Sequence, residues 1–378
     1  MSHLLPSQYN TIPDRNLHNN ERFDNLLHIP FFISNAQRVL FIKYINTTRN
    51  PCIMVKVNLE YIWIGGNGEF RSKNKIHRLD KPIAMEDIPE WNYDGSSTQQ
   101  SKGLDTEVIL KPVKFVKSPF PLNHCDSYLV LCETIHSDRN IANCIFDLKL
   151  ESKPWFGLEQ EYFMLGDRIP NDTEHQGPYY CGVGKGKHAL ERQIALEHLD
   201  ACLYAGLEIS GINAEVAHCQ WEYQIGPCIG IDAGDQLLLS RYILERIAEK
   251  HGITIGYDPK PFPTINGSGC HVNFSTEEMR QDGGMKVIQE AILALYGHHD
   301  DLIFISGQDN YKRLTGIHET SSMDRFTYGI GTRHTSVRIP NGVSKEGKGY
   351  FEDRRCAANM NPYVVTSTIF KICCLNEV

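Results

Sequence analysis

Several features are missing from this sequence, and each absence argues against a class of protein. No uninterrupted apolar segment is long enough to span a bilayer, so a helical membrane protein is not expected. The first thirty residues are polar and contain Asp14, Glu21 and Asp24, so they indicate neither a secretory signal nor a transit peptide. The twelve cysteines include no Cys-x-x-Cys pair and fall mostly in apolar patterns. We therefore expect reduced, buried thiols and a cytoplasmic protein.

Positive charge is also scarce. The 38 lysines and arginines are outnumbered by 46 acidic residues, and the formal net charge is −8. Because no long basic stripe appears, neither nucleic acid nor a membrane is expected as a partner, and an anionic substrate would need locally placed arginines. A chain of 378 residues is long enough for a large core and roughly two domains.

Secondary-structure signals divide the chain into three parts. We interpret residues 1–54 as an N-terminal extension, in which residues 1–30 are rich in Asn, His and Ser and the more apolar segment 31–45 could form a helix. Residues 55–136 carry strand patterns, including a hairpin around a Gly65–Gly68 turn. Residues 137–378 alternate strands with amphipathic helices, which are predicted over Lys187–Gly206, Asp235–His251 and Met285–Tyr296. Asp235 is expected to cap the start of the second of these helices.

Two glutamates in an apolar segment are the most informative feature. Glu159 and Glu161 lie two residues apart in the strand-like run Pro154–Tyr162, so both side chains project from one face. Burying two like charges side by side is unfavourable unless a cation or a shared proton neutralises them. The alternative, a solvated edge strand, is disfavoured by the apolar neighbours. We therefore predict a divalent metal here.

Four later segments carry further polar side chains among apolar residues, and the same alternation along a strand predicts that these side chains point inward. They are Glu215 and Glu222 in residues 213–227, His271, Asn273 and Ser275 in 267–275, Arg333 and Arg338 in 333–340, and Tyr350, Glu352 and Arg354 in 350–355. Taken singly, each acid would more often be a structural ion-pair partner and the histidine a core residue, so they gain weight only as a set. Carboxylates with one imidazole favour Mg²⁺ or Mn²⁺ over zinc, and arginines beside them bind phosphate or carboxylate.

Two other segments resemble sites but give weaker signals. Residues Gly182–Gly186 look like a phosphate-binding loop but lack the Gly-Lys-Ser/Thr ending, so we interpret them as a turn before a helix. Residues His298–Asp301 contain metal-ligating side chains, yet adjacent residues point in different directions, so a solvated loop is expected there.

Seven motifs together resemble eukaryotic-type (type II) glutamine synthetase, from about residue 55 to the C-terminus. They are Glu90–Thr98, Trp155–Tyr162, Gln176–Cys181, Asn213–Pro227, Gly269–Thr276, Arg313–Gly316 with His318–Thr320, and Gly349–Arg355. The resemblance implies an α+β fold, with a small β-grasp domain over 55–136 before a catalytic domain over 137–378, whose antiparallel sheet forms part of a barrel flanked by helices. It implies ATP-dependent ligation of ammonia to L-glutamate through γ-glutamyl phosphate, in a decamer of two pentameric rings with active sites between subunits.

The same resemblance assigns roles to positions of this chain. Glu161, Glu215 and Glu222 match the ligands of one metal, and Glu159, His271 and Glu352 those of a second, within a set of two to three Mg²⁺ or Mn²⁺ ions. Glutamate contacts are implied for Glu161, Glu215, Gly267, Arg313, Arg333 and Arg354, and ATP contacts for Trp155, Glu159, Glu222, Asn273, Ser275, Arg280, Arg333, Arg338, Tyr350 and Glu352. The implied catalytic set is Arg333 and Arg354 with Asp94, which deprotonates ammonium in a neighbouring subunit's site, and Glu319, a flap acid.

Alternative functions within this fold stay open at this point. One is a non-catalytic structural member, against which the intact acids and arginines argue. Another is a γ-glutamyl ligase that uses a different amine, although Asp94 and Glu319 favour ammonium. The chain also departs from the family pattern in shorter segments over 163–175 and 298–310 and in Asn341, which replaces an arginine. Since no implied ligand is lost, we expect activity.

Overall fold

The structure, a computed structural model, describes residues 54–136, 139–140, 153–167, 176–183 and 189–375. The chain separates into two compact units, residues 1–53 and 54–378, of which the second contains every described residue. The expected N-terminal extension over residues 1–54, except its last residue, and the end of the glycine-rich segment 182–186 therefore lie outside the described residues.

The first part of the described chain forms a six-stranded sheet. Its strands are β1 (Val55–Ile64), β2 (Phe70–Leu79), β3 (Trp91–Asp94), β4 (Glu107–Lys117), β5 (Asp126–His136) and β6 (Arg139–Asn140), in the order β2-β1-β5-β4-β3 with β6 beside β5. The predicted hairpin is confirmed, because β1 and β2 pair antiparallel across the turn at Gly68, whose φ of 84° is one that glycine adopts freely. Tyr61 and Trp63 of β1 pack in its core against Trp91 and Tyr93.

A second, eight-stranded sheet curls through the larger part of the chain. Its strands are β7 (Trp155–Leu165), β8 (Ile209–Ala214), β9 (Gln220–Ile229), β10 (Thr254–Gly256), β11 (Cys270–Ser275), β12 (Tyr328–Ile330), β13 (Val337–Ile339) and β14 (Phe351–Asp353). They follow the order β12-β13-β14-β11-β7-β9-β8, with β10 beside β7. All pairs are antiparallel except β12 with β13. Together with the flanking helices, this is the α+β fold expected from the resemblance.

Six helices flank this sheet in the part of the chain that the structure describes. They are α1 (Ala189–Ala205), α2 (Asp232–Lys250), α3 (Gly284–Gly297), α4 (His299–Ile305), α5 (Asn341–Glu346) and α6 (Pro362–Phe370). None of the described helices is long and apolar enough to cross a membrane. The described cysteines are free thiols. The three predicted helices are present, with shifted ends.

Two sequence predictions are corrected at helix starts. Helix α2 begins at Asp232. We expected Asp235 at its N-cap, but this side chain accepts a 2.6 Å hydrogen bond from the Tyr363 hydroxyl inside the core. A distant tertiary partner therefore decides the role of this acid. Residues His299–Ile305 form α4, so the segment 298–301 is a helix start and not the solvated loop that we expected. Asp300 and Asp301 occupy its first turn, where the helix dipole favours negative charge.

Helix α2 connects the two sheets and holds the central strand β7. Tyr242 and Arg246 each donate a 2.5 Å hydrogen bond to Glu60 on β1. From the same helix, Arg241 donates to Gln160 Oε1 on β7 at 2.8 and 2.6 Å and to the Ala358 carbonyl at 2.9 Å. Because Arg241 and Gln160 are buried, this network fixes the face of β7 opposite Glu159 and Glu161.

An ion pair between Asp353 and Arg355 is buried just after β14. Two guanidinium nitrogens of Arg355 donate to the carboxylate at 3.0 and 2.5 Å, and both side chains are 1% exposed. Removing one partner of such a pair leaves the other charge buried without compensation.

We therefore expect Arg355→Met to lower the free energy of unfolding by about 3–5 kcal/mol. Urea unfolding followed by tryptophan fluorescence measures this loss. The matched control is Lys348→Met, because Lys348 pairs with Asp282 on the surface and its removal should leave the midpoint unchanged. A wild-type midpoint for Arg355→Met would show that the buried pair contributes nothing net.

Candidate active site

Strand register brings the predicted acids together. On neighbouring strands, His271 lies opposite Glu159, and Glu222 lies opposite Glu161. One strand further along, Glu352 lies opposite both Asn273 and Arg338. Because side chains alternate along each strand, these residues share the concave face while Val272, Phe274 and Phe351 are fully buried on the other.

This face forms the wall of a polar cavity of about 300 Å³. Eleven of the residues implied by the resemblance line it: Glu159, Glu161, Glu215, Glu222, Gly267, His271, Arg313, Glu319, Arg333, Arg338 and Arg354. Glu352 lies just behind this wall, 2% exposed. A larger cavity, of about 760 Å³, lies around Glu60 and Arg246, and none of the predicted residues line it.

Three carboxylates crowd one end of the polar cavity. Burial raises the pKa of Glu161, Glu215 and Glu222, and the neighbouring carboxylates raise the pKa of Glu161 and Glu222 further. Glu161 accepts hydrogen bonds from the Gly269 amide at 2.8 Å and from Gln220 at 3.2 Å, and the His271 imidazole lies 3.9 Å from it. No described lysine or arginine forms a salt bridge with any of the three. Like charges facing each other across two strands destabilise the sheet unless a proton or a cation intervenes.

His271 lies between two further carboxylates. Its Nδ1 is 3.4 Å from Glu159 and 3.5 Å from Glu352, and one ligand atom from each of the three residues fits within 4.8 Å of the others. Burial and then the nearby Arg354 guanidinium hold the pKa of His271 well below its ordinary value. The imidazole is therefore neutral, which is the form that binds metals.

Four arginines supply the positive charge. Arg354 and Arg338 donate to the two oxygens of Glu352 at 2.5 and 3.0 Å. Arg313 is buried and donates to the Arg354 carbonyl at 3.1 Å. Arg333 lies at the mouth of the cavity, 3.9 Å from Glu319.

The backbone beside Glu319 adopts an unusual conformation. His318 and Glu319 have φ values of 54° and 62°, in the left-handed region that non-glycine residues rarely occupy. Such strain costs of order 1–3 kcal/mol per residue and concentrates in switch and ligand-clamping segments. The segment that carries Glu319 is thus held at the cavity mouth in a conformation that other contacts must maintain.

A second cavity, of about 420 Å³, adjoins the first and is more apolar. Six residues implied to contact ATP line it: Trp155, Glu159, Asn273, Ser275, Arg280 and Tyr350. Arg280 stacks 3.9 Å above the Trp155 ring, and both Trp155 and Tyr350 are partly exposed. Glu159 lines both cavities and accepts a 2.8 Å hydrogen bond from Asn273. A flat aromatic group in this cavity can therefore place an attached polyanion among the acids and arginines.

Two predicted site residues line neither cavity: Glu352, which lies just behind the wall of the polar one, and Asp94. Asp94 lies at the exposed end of β3 and accepts hydrogen bonds from Ser96 Oγ at 2.7 Å and Ser97 Oγ at 3.0 Å. These bonds, led by those from Ser96, lower the pKa of Asp94 to about 2. It is therefore a surface carboxylate that is ionised at neutral pH.

Three amides in the site were not singled out from the sequence. Gln224 lines both cavities and donates to Glu222, and also to Asn213 at 3.0 Å. Asn213 donates to Glu215 at 2.8 Å, and Gln220 to Glu161 at 3.2 Å. The period of two that selected the acids also placed Gln220 and Gln224 on the face of Glu222, so the signal was present.

Comparison with known proteins places the chain in a family. The family described as "Glutamine synthetase, catalytic domain" matches residues 148–373. A glutamine synthetase of Tuber borchii is 47% identical over 359 residues, covering 90% of this chain and 97% of that protein. Those of Saccharomyces cerevisiae and Gallus gallus are 48% and 47% identical, covering 84% and 85% of this chain and 90% and 91% of their own lengths. Family match and relatives thus span the residues that build both cavities, and the chain belongs to the glutamine synthetase family.

Proposed function

We propose that this chain ligates ammonia to L-glutamate with hydrolysis of ATP, giving L-glutamine, ADP and phosphate. The observation that carries the proposal is the pair of adjoining cavities, one apolar and one lined by acids and arginines, with Glu159 in the wall of both. The apolar cavity suits a nucleobase and the polar one suits phosphates and an amino-acid substrate.

The acids fit two divalent cations. Glu161, Glu215 and Glu222 would hold one, and Glu159, His271 and Glu352 the other. The fit rests on the chemistry of the donors, because five carboxylates and a neutral imidazole are the ligands that Mg²⁺ and Mn²⁺ prefer. When bound, the ions would supply positive charge to phosphate oxygens.

The arginines then perform the electrostatic part of phosphoryl transfer. A γ-carboxylate is a poor electrophile, so its conversion to an acyl phosphate makes displacement by ammonia feasible. We assign Arg354 and Arg333 to the glutamate and the transferring phosphate, and Arg338 to the nucleotide phosphates. Fixed guanidinium groups in a confined cavity stabilise charge that develops on those oxygens. Glu319, at the mouth, would limit the access of water to the acyl phosphate.

Asp94 points to active sites shared between subunits. It is ionised and exposed, yet it lies outside the cavities of its own chain. A carboxylate that attracts ammonium and accepts its proton must reach the acyl phosphate, so we assign Asp94 to the site of a neighbouring subunit. The decamer of two pentameric rings expected from the sequence provides such neighbours.

Turnover should require all four components together. Release of phosphate from ATP is expected only when glutamate, ammonium and Mg²⁺ or Mn²⁺ are all present, with glutamine formed in equal amount. A coupled phosphate assay with amino-acid analysis measures both products. Hydroxylamine, methylamine and a diamine, offered in place of ammonium, test whether another amine is preferred. Equal phosphate release without any amine would rule out the ligase.

Shared active sites predict complementation between two inactive variants. Asp94→Asn and Glu222→Gln subunits should each be nearly inactive alone. In a co-expressed hybrid, some sites combine an intact cavity from the Asp94→Asn chain with an intact Asp94 from the Glu222→Gln chain, so part of the activity should return. The control hybrid pairs Glu161→Gln with Glu222→Gln, in which every cavity is defective. If activity returns in neither hybrid, Asp94 does not act in the site of a neighbouring subunit, and the proposal of shared active sites is wrong.

The crowded carboxylates predict a pH-dependent stability of the metal-free protein. Folding raises the pKa of Glu161 to about 8 and shifts those of Glu215 and Glu222 upward as well. A carboxyl whose pKa is raised stabilises the fold while it is protonated, and that contribution is lost as pH rises through the folded pKa. In the presence of a chelator, the unfolding free energy should therefore fall as pH rises from the ordinary carboxyl pKa of 4.5 to about 8, by about 1 kcal/mol or more.

Two comparisons separate this effect from general alkaline destabilisation. Glu222→Gln should flatten the decline, because it removes one of the repelling charges, whereas the exposed Glu290→Gln on α3 should not. Added Mn²⁺ should stabilise the wild type more at the higher pH, since protons no longer compete for the ligands. A decline that is identical in all three proteins would contradict the crowding of these acids.

A further inference from the structure

A second group of metal-ligating side chains lies outside both cavities. It consists of Glu191 in the first turn of α1 and of His218 and Cys219 in the turn between β8 and β9. All three are buried, with exposures of 1%, 4% and 2%. The proposed ligase chemistry uses none of them.

The three side chains converge closely. His218 Nδ1 lies 2.8 Å from Cys219 Sγ, and His218 Nε2 lies 3.6 Å from Glu191 Oε1. One ligand atom from each residue fits within 4.8 Å of the other two. The other carboxylate oxygen of Glu191 accepts a 3.4 Å hydrogen bond from Trp221 Nε1, which holds the carboxylate in place.

These separations are close to those of a bound cation. Zinc lies about 2.3 Å from sulfur and about 2.0–2.2 Å from nitrogen or oxygen, so tetrahedral ligand atoms stand about 3.3–3.6 Å apart. His218 can offer an ion only one of its two ring nitrogens, so the separation that matters is that one ligand atom from each residue lies within 4.8 Å of the other two. The side chains therefore need to move by about 1 Å toward that geometry. Small side-chain rotations are sufficient, and a water molecule can complete the coordination.

The types of ligand distinguish this cluster from the active site. A thiolate with an imidazole and a carboxylate suits a cation of borderline softness, above all Zn²⁺, and not Mg²⁺. The proposed active-site ligands include no sulfur. The two sets of residues would therefore select different metals in one chain.

The backbone at Cys219 adds a second indication. Its φ of 65° lies in the left-handed region, where glycine is favoured and a cysteine costs about 1–3 kcal/mol. A thiol kept at such a position and aimed at an imidazole is more than a space-filling core residue.

We propose that Glu191, His218 and Cys219 bind one Zn²⁺-class cation, which ties the start of α1 to the β8–β9 turn. The arms of this turn carry Glu215 and Glu222, so the ion would hold the active-site carboxylates in position from outside the cavity. This inference does not depend on the ligase activity. The alternative is a hydrogen-bonded core cluster that binds no ion.

Cobalt titration of the full-length, chelator-treated protein tests the proposal. Co²⁺ replaces Zn²⁺ with the same ligands and gives a near-ultraviolet charge-transfer band only when a thiolate binds it. We expect this band, saturating at one thiolate-bound Co²⁺ per chain and displaced by Zn²⁺. Co²⁺ in the active site would not contribute, because its proposed ligands are oxygen and nitrogen. Absence of the band in the wild type would overturn the proposal.

Three variants decide which cysteine is responsible. Cys219→Gly should abolish the band while circular dichroism stays native, because glycine is well suited to a φ of 65°. Cys202→Ser is the matched control, since Cys202 is also buried beside an imidazole, 3.2 Å from His198. Cys181→Ser controls for binding at an exposed thiol. The proposal is refuted if the band persists in Cys219→Gly, or if it is lost in Cys202→Ser or in Cys181→Ser. Either result would mean that Co²⁺ binds adventitiously at another cysteine.

Discussion

The burial of like-charged carboxylates on one face of a sheet is the constraint on which the rest of the structure depends. Glu161 and Glu222 lie directly opposite each other on β7 and β9, and burial with mutual repulsion raises the pKa of both. Such an arrangement is unfavourable for an empty protein and becomes favourable only when positive charge enters. The fold therefore carries an electrostatic cost that ligand binding relieves, as expected where a site is organised in advance of its ligands.

The scaffold that maintains this arrangement lies on the opposite side of the same strands. Arg241 holds Gln160 from behind β7, while Asp353 and Arg355 pair behind β14. Glu352, which precedes Asp353 on β14, receives hydrogen bonds from Arg338 and Arg354 on the cavity side. Each wall strand is thus fixed on both faces, which limits the freedom of the acids to move apart.

Much of the site could be predicted from the sequence because its strands obey a simple alternation. Glu159 with Glu161, and His271 with Asn273, were placed on one face by spacing alone, and the motif resemblance supplied the family. What spacing could not give were contacts between distant segments. The bond from Arg241 to Gln160 joins residues 81 positions apart, and the Tyr363 hydroxyl takes Asp235 away from the helix cap. Both are tertiary effects that no local window contains.

The sequence prediction that failed at residues 298–301 also failed because of tertiary contacts. The segment 298–301 contains polar residues that look solvated, yet helix α4 forms there and His299 Nε2 donates a 2.8 Å hydrogen bond to the Met323 carbonyl, so packing overrode the local pattern. Conversely, Gln224 followed the alternation and was overlooked because amides carry no formal charge. The spacing of uncharged polar residues along a strand is therefore as informative as the spacing of charged residues for finding side chains that line a cavity.

The two faces of β7 lie in different surroundings, which restricts the insertions and deletions that this strand can tolerate. Glu159 and Glu161 face the cavity, whereas Leu158, Gln160 and Tyr162 face the core. Inserting or deleting a single codon within this strand would rotate every subsequent side chain to the wrong side, driving carboxylates against Arg241 and apolar groups into the cavity. Lineages should therefore accumulate length variation in the flanking segments and preserve the residue count between Trp155 and Leu165.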